Sequence, residues 1–87
     1  EFVICFAGLP PDRAFSIAEE IRLLVKKERI EYDENSFGIT VSIGIALLDT
    51  QRHTLLAQLL SDADSALYMA KQQGRDRCVI YHIDEQA

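Results

Sequence analysis

Leu59 to Arg77 reads LLSDADSALYMAKQQGRDR, and its spacing predicts a single helix that ends by presenting cations. Leu59, Leu60, Ala63, Ala66, Leu67 and Ala70 recur at steps of three and four, the period of one helical face. The alanines keep that face narrow, so a neighbouring strand can approach the helix closely. Gly74 stands where the helix stops, because the residue just past a helix usually needs a positive φ that glycine adopts cheaply. Lys71 falls in the last turn and Arg75 follows the glycine. From spacing alone two readings are open. The cations offset the negative end of the helix dipole, worth about 0.3–1 kcal/mol each, or they hold an anionic ligand.

The frame around this helix is small. The 87 residues allow one domain, with 48% apolar and 26% charged residues, which indicates a globular chain rather than a disordered one. A formal charge of −5 argues against general affinity for a nucleic-acid backbone, so no nucleic acid is expected as partner. Local cations can still bind an anion. No apolar run is long enough to span a bilayer, and Glu1-Phe2-Val3-Ile4-Cys5-Phe6 lacks the basic start of a signal peptide. Cys5 and Cys78 are far apart on two strand-like runs, as expected for reduced core thiols of a cytoplasmic domain. No Cys/His cluster has zinc spacing.

Upstream of the helix, Phe37 to Leu48 (FGITVSIGIALL) is the strongest strand pattern. Ile39, Val41, Ile43, Ile45 and Leu47 share one face; Gly38, Thr40, Ser42, Gly44 and Ala46 share the other. The small face lets either the alanine-faced helix or a ligand come close to the backbone. Glu1 to Ala7 reads as a buried strand that opens abruptly, so the chain is expected to be cut from a longer one. Gly8-Leu9-Pro10-Pro11 ends it, and Asp12 can cap a helix running to about Arg29. On that helix Ala14, Ile17, Ala18, Ile21, Leu24 and Val25 trace the packing face. Glu31 to Ser36 reads as a solvated acidic loop without calcium-loop spacing. Thr54 is the expected N-cap of the helix Leu55 to Gln73, and His53 carries no ligand signal. Cys78 to Tyr81 is a last short strand, and residues 83–87 form an acidic tail or linker after a unit spanning 1–82. The order strand, helix, strand, helix, strand predicts a sheet layered with helices.

Several pieces together resemble a known family. Val41-Ser42-Ile43-Gly44-Ile45-Ala46, then Ala63-Asp64, Ala66-Leu67-Tyr68, Ala70-Lys71 and Gly74-Arg75, resemble the C-terminal half of the GGDEF domain of diguanylate cyclases. Glu1-Phe2 is similar to the last two letters of the Gly-Gly-Asp/Glu-Glu-Phe motif. The resemblance covers Glu1 to about Tyr81. It implies an α+β, palm-like (ferredoxin-like, nucleotidyl cyclase-like) fold with an antiparallel-rich sheet. It also implies a bacterial signalling enzyme that condenses two GTP molecules into cyclic di-GMP with two Mg2+ ions, each site shared by two facing domains of a homodimer. By the same resemblance Lys71 and Arg75 match the cations that hold the GTP triphosphate. Glu1 matches the motif letter beside the acid that binds metal, and no metal ligand is assigned within this chain.

The family's two glycines, its metal-binding acids, its guanine-reading pair and its Arg-x-x-Asp inhibitory site all belong upstream of Glu1. Glu20 stands where some relatives carry an arginine of a second product contact. The upstream half is also expected to supply a central strand, leaving this chain with exposed strand edges, prone to aggregate, swap or be completed by another chain. The chain alone is expected to be inactive. The alternative function is a catalytically degenerate GGDEF-like module that binds GTP or cyclic di-GMP or mediates protein contacts. Gly-Gly-Asp or Gly-Gly-Glu immediately before Glu1 favours the enzyme. Sensor or phosphodiesterase domains and a membrane anchor are compatible with the parent protein.

Overall fold

The computed structural model describes residues 1–82. Along the chain run β1 (Phe2–Phe6), α1 (Pro11–Lys27), β2 (Arg29–Tyr32), β3 (Asn35–Gly38), β4 (Ile43–Leu47), α2 (Leu56–Gln72) and β5 (Cys78–Ile80). β4 is the middle strand of a three-stranded sheet ordered β1-β4-β5, and it pairs parallel with both neighbours. β2 and β3 form a separate antiparallel ribbon. The chain is α+β, as expected, but antiparallel pairing is confined to the ribbon. The reason is topological: consecutive strands of the main sheet are joined through helices, and such crossovers return the chain to the same end of the sheet.

Alternation along β4 divides the molecule into three layers. Val41, Ile43 and Ile45 pack with Ala14 and Ala18 of α1 and with Cys78, and Ile4 and Phe6 of β1 join them. Ile43 and Ile45 are fully buried there, each contributing about 1.5–3 kcal/mol by leaving water. On the other face Ala46 packs with Leu59 and Ala63 of α2, supported by Val3 and Cys5. The small-residue face of the strand is therefore a helix seat. A Cβ on Gly44 would overlap the Ala63 carbonyl and the Leu67 backbone, so α2 lies directly on the β4 main chain. Thr40 is exposed, whereas Ser42 is buried. No buried side-chain nitrogen or oxygen among the described residues lacks a partner.

The sequence expectations need correction at several places. The Phe37–Leu48 strand is two strands, because residues 39–42 turn the chain from the ribbon into the sheet. The acidic loop Glu31–Ser36 is the ribbon's tip: Asp33 (φ 50°) and Glu34 (φ 70°) make a tight turn between Tyr32 and Asn35. Two consecutive positive φ values suit the right-handed twist of a two-residue hairpin. Asp12 does not cap α1; Pro10 is the cap residue, Pro11 fills the first helical position, and Asp12 sits in the first turn. Thr54 does not cap α2 either. Gln58 reaches back instead, and its Oε1 accepts from the amides of Thr54 (2.6 Å) and Leu55 (3.0 Å). The apolar face of α1 is only partly covered, since Ile21 and Leu24 remain 40% and 59% exposed. β1 and β4 are hydrogen-bonded neighbours in this chain. β1 and β5 are the edge strands. The expected tail at 83–87 lies outside the described residues.

Candidate functional site

Two features bring Lys71 and Glu1 to one corner. α2 is pinned by Ala63, Ala66 and Ala70, all buried, so its final turn has a fixed position over the sheet. β1 runs parallel to β4 in the register Phe2↔Ile43. The start of β1 therefore lies at the end of the sheet where α2 finishes. Lys71 Nζ there donates to Glu1 Oε1 at 2.9 Å, across 70 positions of sequence. Glu1 is 55% and Lys71 29% exposed at the side chain. The Lys71 hydrogen bond, then its charge, hold the Glu1 carboxyl below its ordinary pKa, and the Arg75 charge acts in the same direction.

Arg75 is exposed on the turn that ends α2. Gly74 (φ 118°), Arg75 (φ 63°) and Asp76 (φ 47°) are three successive residues with positive φ. Glycine takes such a conformation freely; arginine and aspartate do so at a cost. The turn is bolted in place. The Arg75 amide donates to the Ala70 carbonyl at 2.9 Å, and Arg77 Nε donates to the Arg75 carbonyl at 3.0 Å. Asp76 Oδ1 accepts from Arg22 Nη1 at 2.7 Å and Asp76 Oδ2 from Lys26 Nζ at 2.6 Å. Arg22 is itself held by Glu19, whose Oε2 accepts from Nε at 2.9 Å. Lys26 first and Arg22 second keep the Asp76 carboxyl below its usual range.

Sequence reading missed two clusters. One is the Asp76 clamp, which pairs residues 50 and 54 positions apart and leaves no local pattern. The other lies at the opposite end of α2. His53 and Asp62 are buried, and the ring Nε2 stands 2.6 Å from Asp62 Oδ2. The Asp49 amide donates to His53 Nδ1 at 3.0 Å, so the ring proton sits on Nε2 and points at the carboxylate. Arg52 also pairs with Asp62 and stacks over Tyr81, 5.2 Å from the ring centroid. A signal was available: Asp62 occupies the same helical face as Leu59, Ala63 and Ala66, where a polar residue needs a partner.

This cluster makes a stability prediction. The Arg52 hydrogen bond, aided by His53 and opposed by burial, lowers the Asp62 pKa from its ordinary 3.8. A lowered folded-state pKa stabilises fully above the unfolded value, and the benefit disappears as pH falls through the folded value. Unfolding scans below pH 4 are therefore expected to show a steeper acid loss in the wild type than in Asp62→Asn. Asp62→Ala at neutral pH leaves the buried His53 N–H unpartnered and is expected to cost about 1–3 kcal/mol. Parallel acid profiles for wild type and Asp62→Asn would contradict this.

The corner pairs a cation with a single carboxylate, which is not a metal-ligand set. Among the described residues no three His, Cys, Asp or Glu side chains cluster to hold an ion. Glu1 alone, already paired with Lys71, does not constitute a magnesium site. A groove of about 760 Å³ lies elsewhere, between α2 and β5, lined in part by Asp64, Ser65, Tyr68, Met69 and Tyr81. It has no lysine or arginine in its lining, so it is poorly matched to phosphates. Cys5 is half-buried and Cys78 buried, both free thiols; burial pushes the Cys78 thiol up to about 12, which leaves it unreactive at neutral pH. Among the described residues no helix is long and apolar enough to cross a membrane.

Comparison with known proteins agrees with the sequence resemblance. The family described as "Diguanylate cyclase, GGDEF domain" matches residues 1–77. The chain belongs to the GGDEF domain family. It is 39% identical over 77 residues to diguanylate cyclase DgcM of Escherichia coli, covering 88% of this chain and 18% of that protein. It is 33% identical over 81 residues to a diguanylate cyclase of Vibrio cholerae, covering 93% of this chain and 24% of that one. It is 31% identical over 80 residues to diguanylate cyclase A of Treponema denticola, with 92% and 21% covered. The chain thus spans roughly a fifth of the length of these relatives.

Proposed function

We propose that this chain is the triphosphate-holding part, residues 1–82, of a cytoplasmic domain that condenses two GTP molecules into cyclic di-GMP. The observation that carries this reading is the pairing of Lys71 with Glu1 at the end of α2, with Arg75 in the turn that follows, in a chain of the GGDEF family. Lys71 and Arg75 bind the triphosphate. The reaction joins a 3′-oxygen to an α-phosphorus and breaks its bond to the bridging oxygen, so pyrophosphate leaves. Fixed cations on the β- and γ-phosphates neutralise the charge that gathers on that leaving group and are already in position when it forms. Glu1 keeps the Lys71 ammonium at the rim of the site until the anion arrives. A second copy of the domain supplies the other GTP, and magnesium ligands come from residues outside this chain.

The full-length protein, given GTP and magnesium, is expected to release cyclic di-GMP and pyrophosphate in a ratio of one to two. A soluble dimer that makes neither would contradict the reading. The isolated 87-residue chain is expected to make no product, and turnover by it would contradict the division of the site proposed here.

A further inference from the structure

We infer that Asp76 is a positioning residue for the triphosphate site, acting through Arg75; the inference rests on the assignment of Arg75 to GTP. Arg75 has no helix beneath it. It stands in the middle of three positive-φ residues, a conformation that side-chain-bearing residues adopt only when the surroundings enforce it. The enforcement comes from α1. Asp76 is gripped through both carboxylate oxygens, by Arg22 at 2.7 Å and Lys26 at 2.6 Å, and Arg22 Nη1 also reaches the Asp76 carbonyl at 3.3 Å. Arg22 is mostly buried, with 13% of its side chain exposed, and Glu19 fixes its guanidinium. A planar guanidinium held on one side by Glu19 presents its remaining donors in a set direction.

The chain around Arg75 is thus fixed on both sides. Upstream, its amide is tied to Ala70 at the end of α2. Downstream, Asp76 is tied to α1 on the opposite face of the sheet. Without the second tie the turn can relax to ordinary negative φ values, and the Arg75 side chain then loses its set direction just past the end of α2. The clamp also explains why two cations are spent on one exposed turn: Asp76 absorbs them, so they do not extend the cationic corner but orient it.

The test is a double-mutant cycle in the full-length protein, reading kcat and KM for GTP alongside the thermal midpoint. Asp76→Ala is expected to raise KM about tenfold. The milder Lys26→Ala, on an exposed side chain that cannot unfold the domain, is expected to raise it about two- to fivefold. Asp76→Asn, which keeps an acceptor for Arg22 and tolerates positive φ, is expected to recover much of the loss. In an Arg75→Ala background, Asp76→Ala and Lys26→Ala are expected to add nothing. If Asp76→Ala and Lys26→Ala lower only the thermal midpoint, or cost as much without Arg75 as with it, the positioning role is wrong while the triphosphate assignment stands. If Arg75→Ala itself leaves KM and kcat unchanged, the assignment fails and the inference falls with it.

Discussion

Gly44→Val is expected to prevent the domain from folding stably. The side chain of residue 44 points at α2, and even a bare Cβ there would overlap the Ala63 carbonyl and the Leu67 main chain. Those atoms are helix backbone, so no rotamer change relieves the overlap. Either α2 lifts from the sheet or β4 twists out of its pairing with β1 and β5. Lifting α2 uncovers Ala46, Leu59 and Ala63 together. Overpacking in a rigid core costs about 1–3 kcal/mol, and more where backbone must move, so about 3 kcal/mol or more is the expectation for valine. A domain of this size has little margin for that. The measurement is the thermal midpoint of the full-length protein. A midpoint within a degree or two of wild type would mean that α2 does not rest on Gly44.

Gly44 also shows what kind of structure the sequence discloses. The alternation of Ile43 and Ile45 with Gly44 and Ala46 and the alanine stripe of α2 are complementary, and they fit together as their periodicities predict. Gly74 likewise ends its helix region with a positive φ. These are short-range patterns repeated over several residues. What could not be read falls into two kinds. The Asp33-Glu34 turn lacks the glycine that normally marks a two-residue hairpin, so the ribbon β2–β3 was hidden inside an acidic stretch. The Asp76 clamp and the Lys71–Glu1 pair join residues 50 or more positions apart. Nothing local encodes such a pairing; it exists because α1, α2 and β1 are each anchored to the same sheet. The sheet's parallel order was hidden for the same reason. Of the candidate site, the residue types were legible through the family resemblance, and their mutual distance was not.

The second large effect concerns those residues directly. Lys71 and Arg75 lie at the surface and contribute little to the core, so their removal is expected to leave the fold intact. Lys71→Ala loses only an exposed pairing with Glu1, and Arg75→Ala removes an exposed side chain. In the role proposed for them their value is electrostatic and arises only when phosphates are present. Preorganised donors aimed at developing charge are worth about 10²–10³ in rate when one is deleted. Two donors serving one triphosphate act as a unit, so the double variant is expected to lose less than the product of the single losses. A pure dipole role predicts the opposite pattern, with a small loss of stability and none of turnover.

The decisive measurement is kcat/KM for GTP of the full-length protein beside that of its Lys71→Ala/Arg75→Ala variant, with both shown to be folded by their thermal midpoints. A loss of at least about 10² in kcat/KM with the midpoint nearly unchanged is expected. An unchanged kcat/KM in the folded double variant would contradict it and return both cations to the service of the α2 terminus.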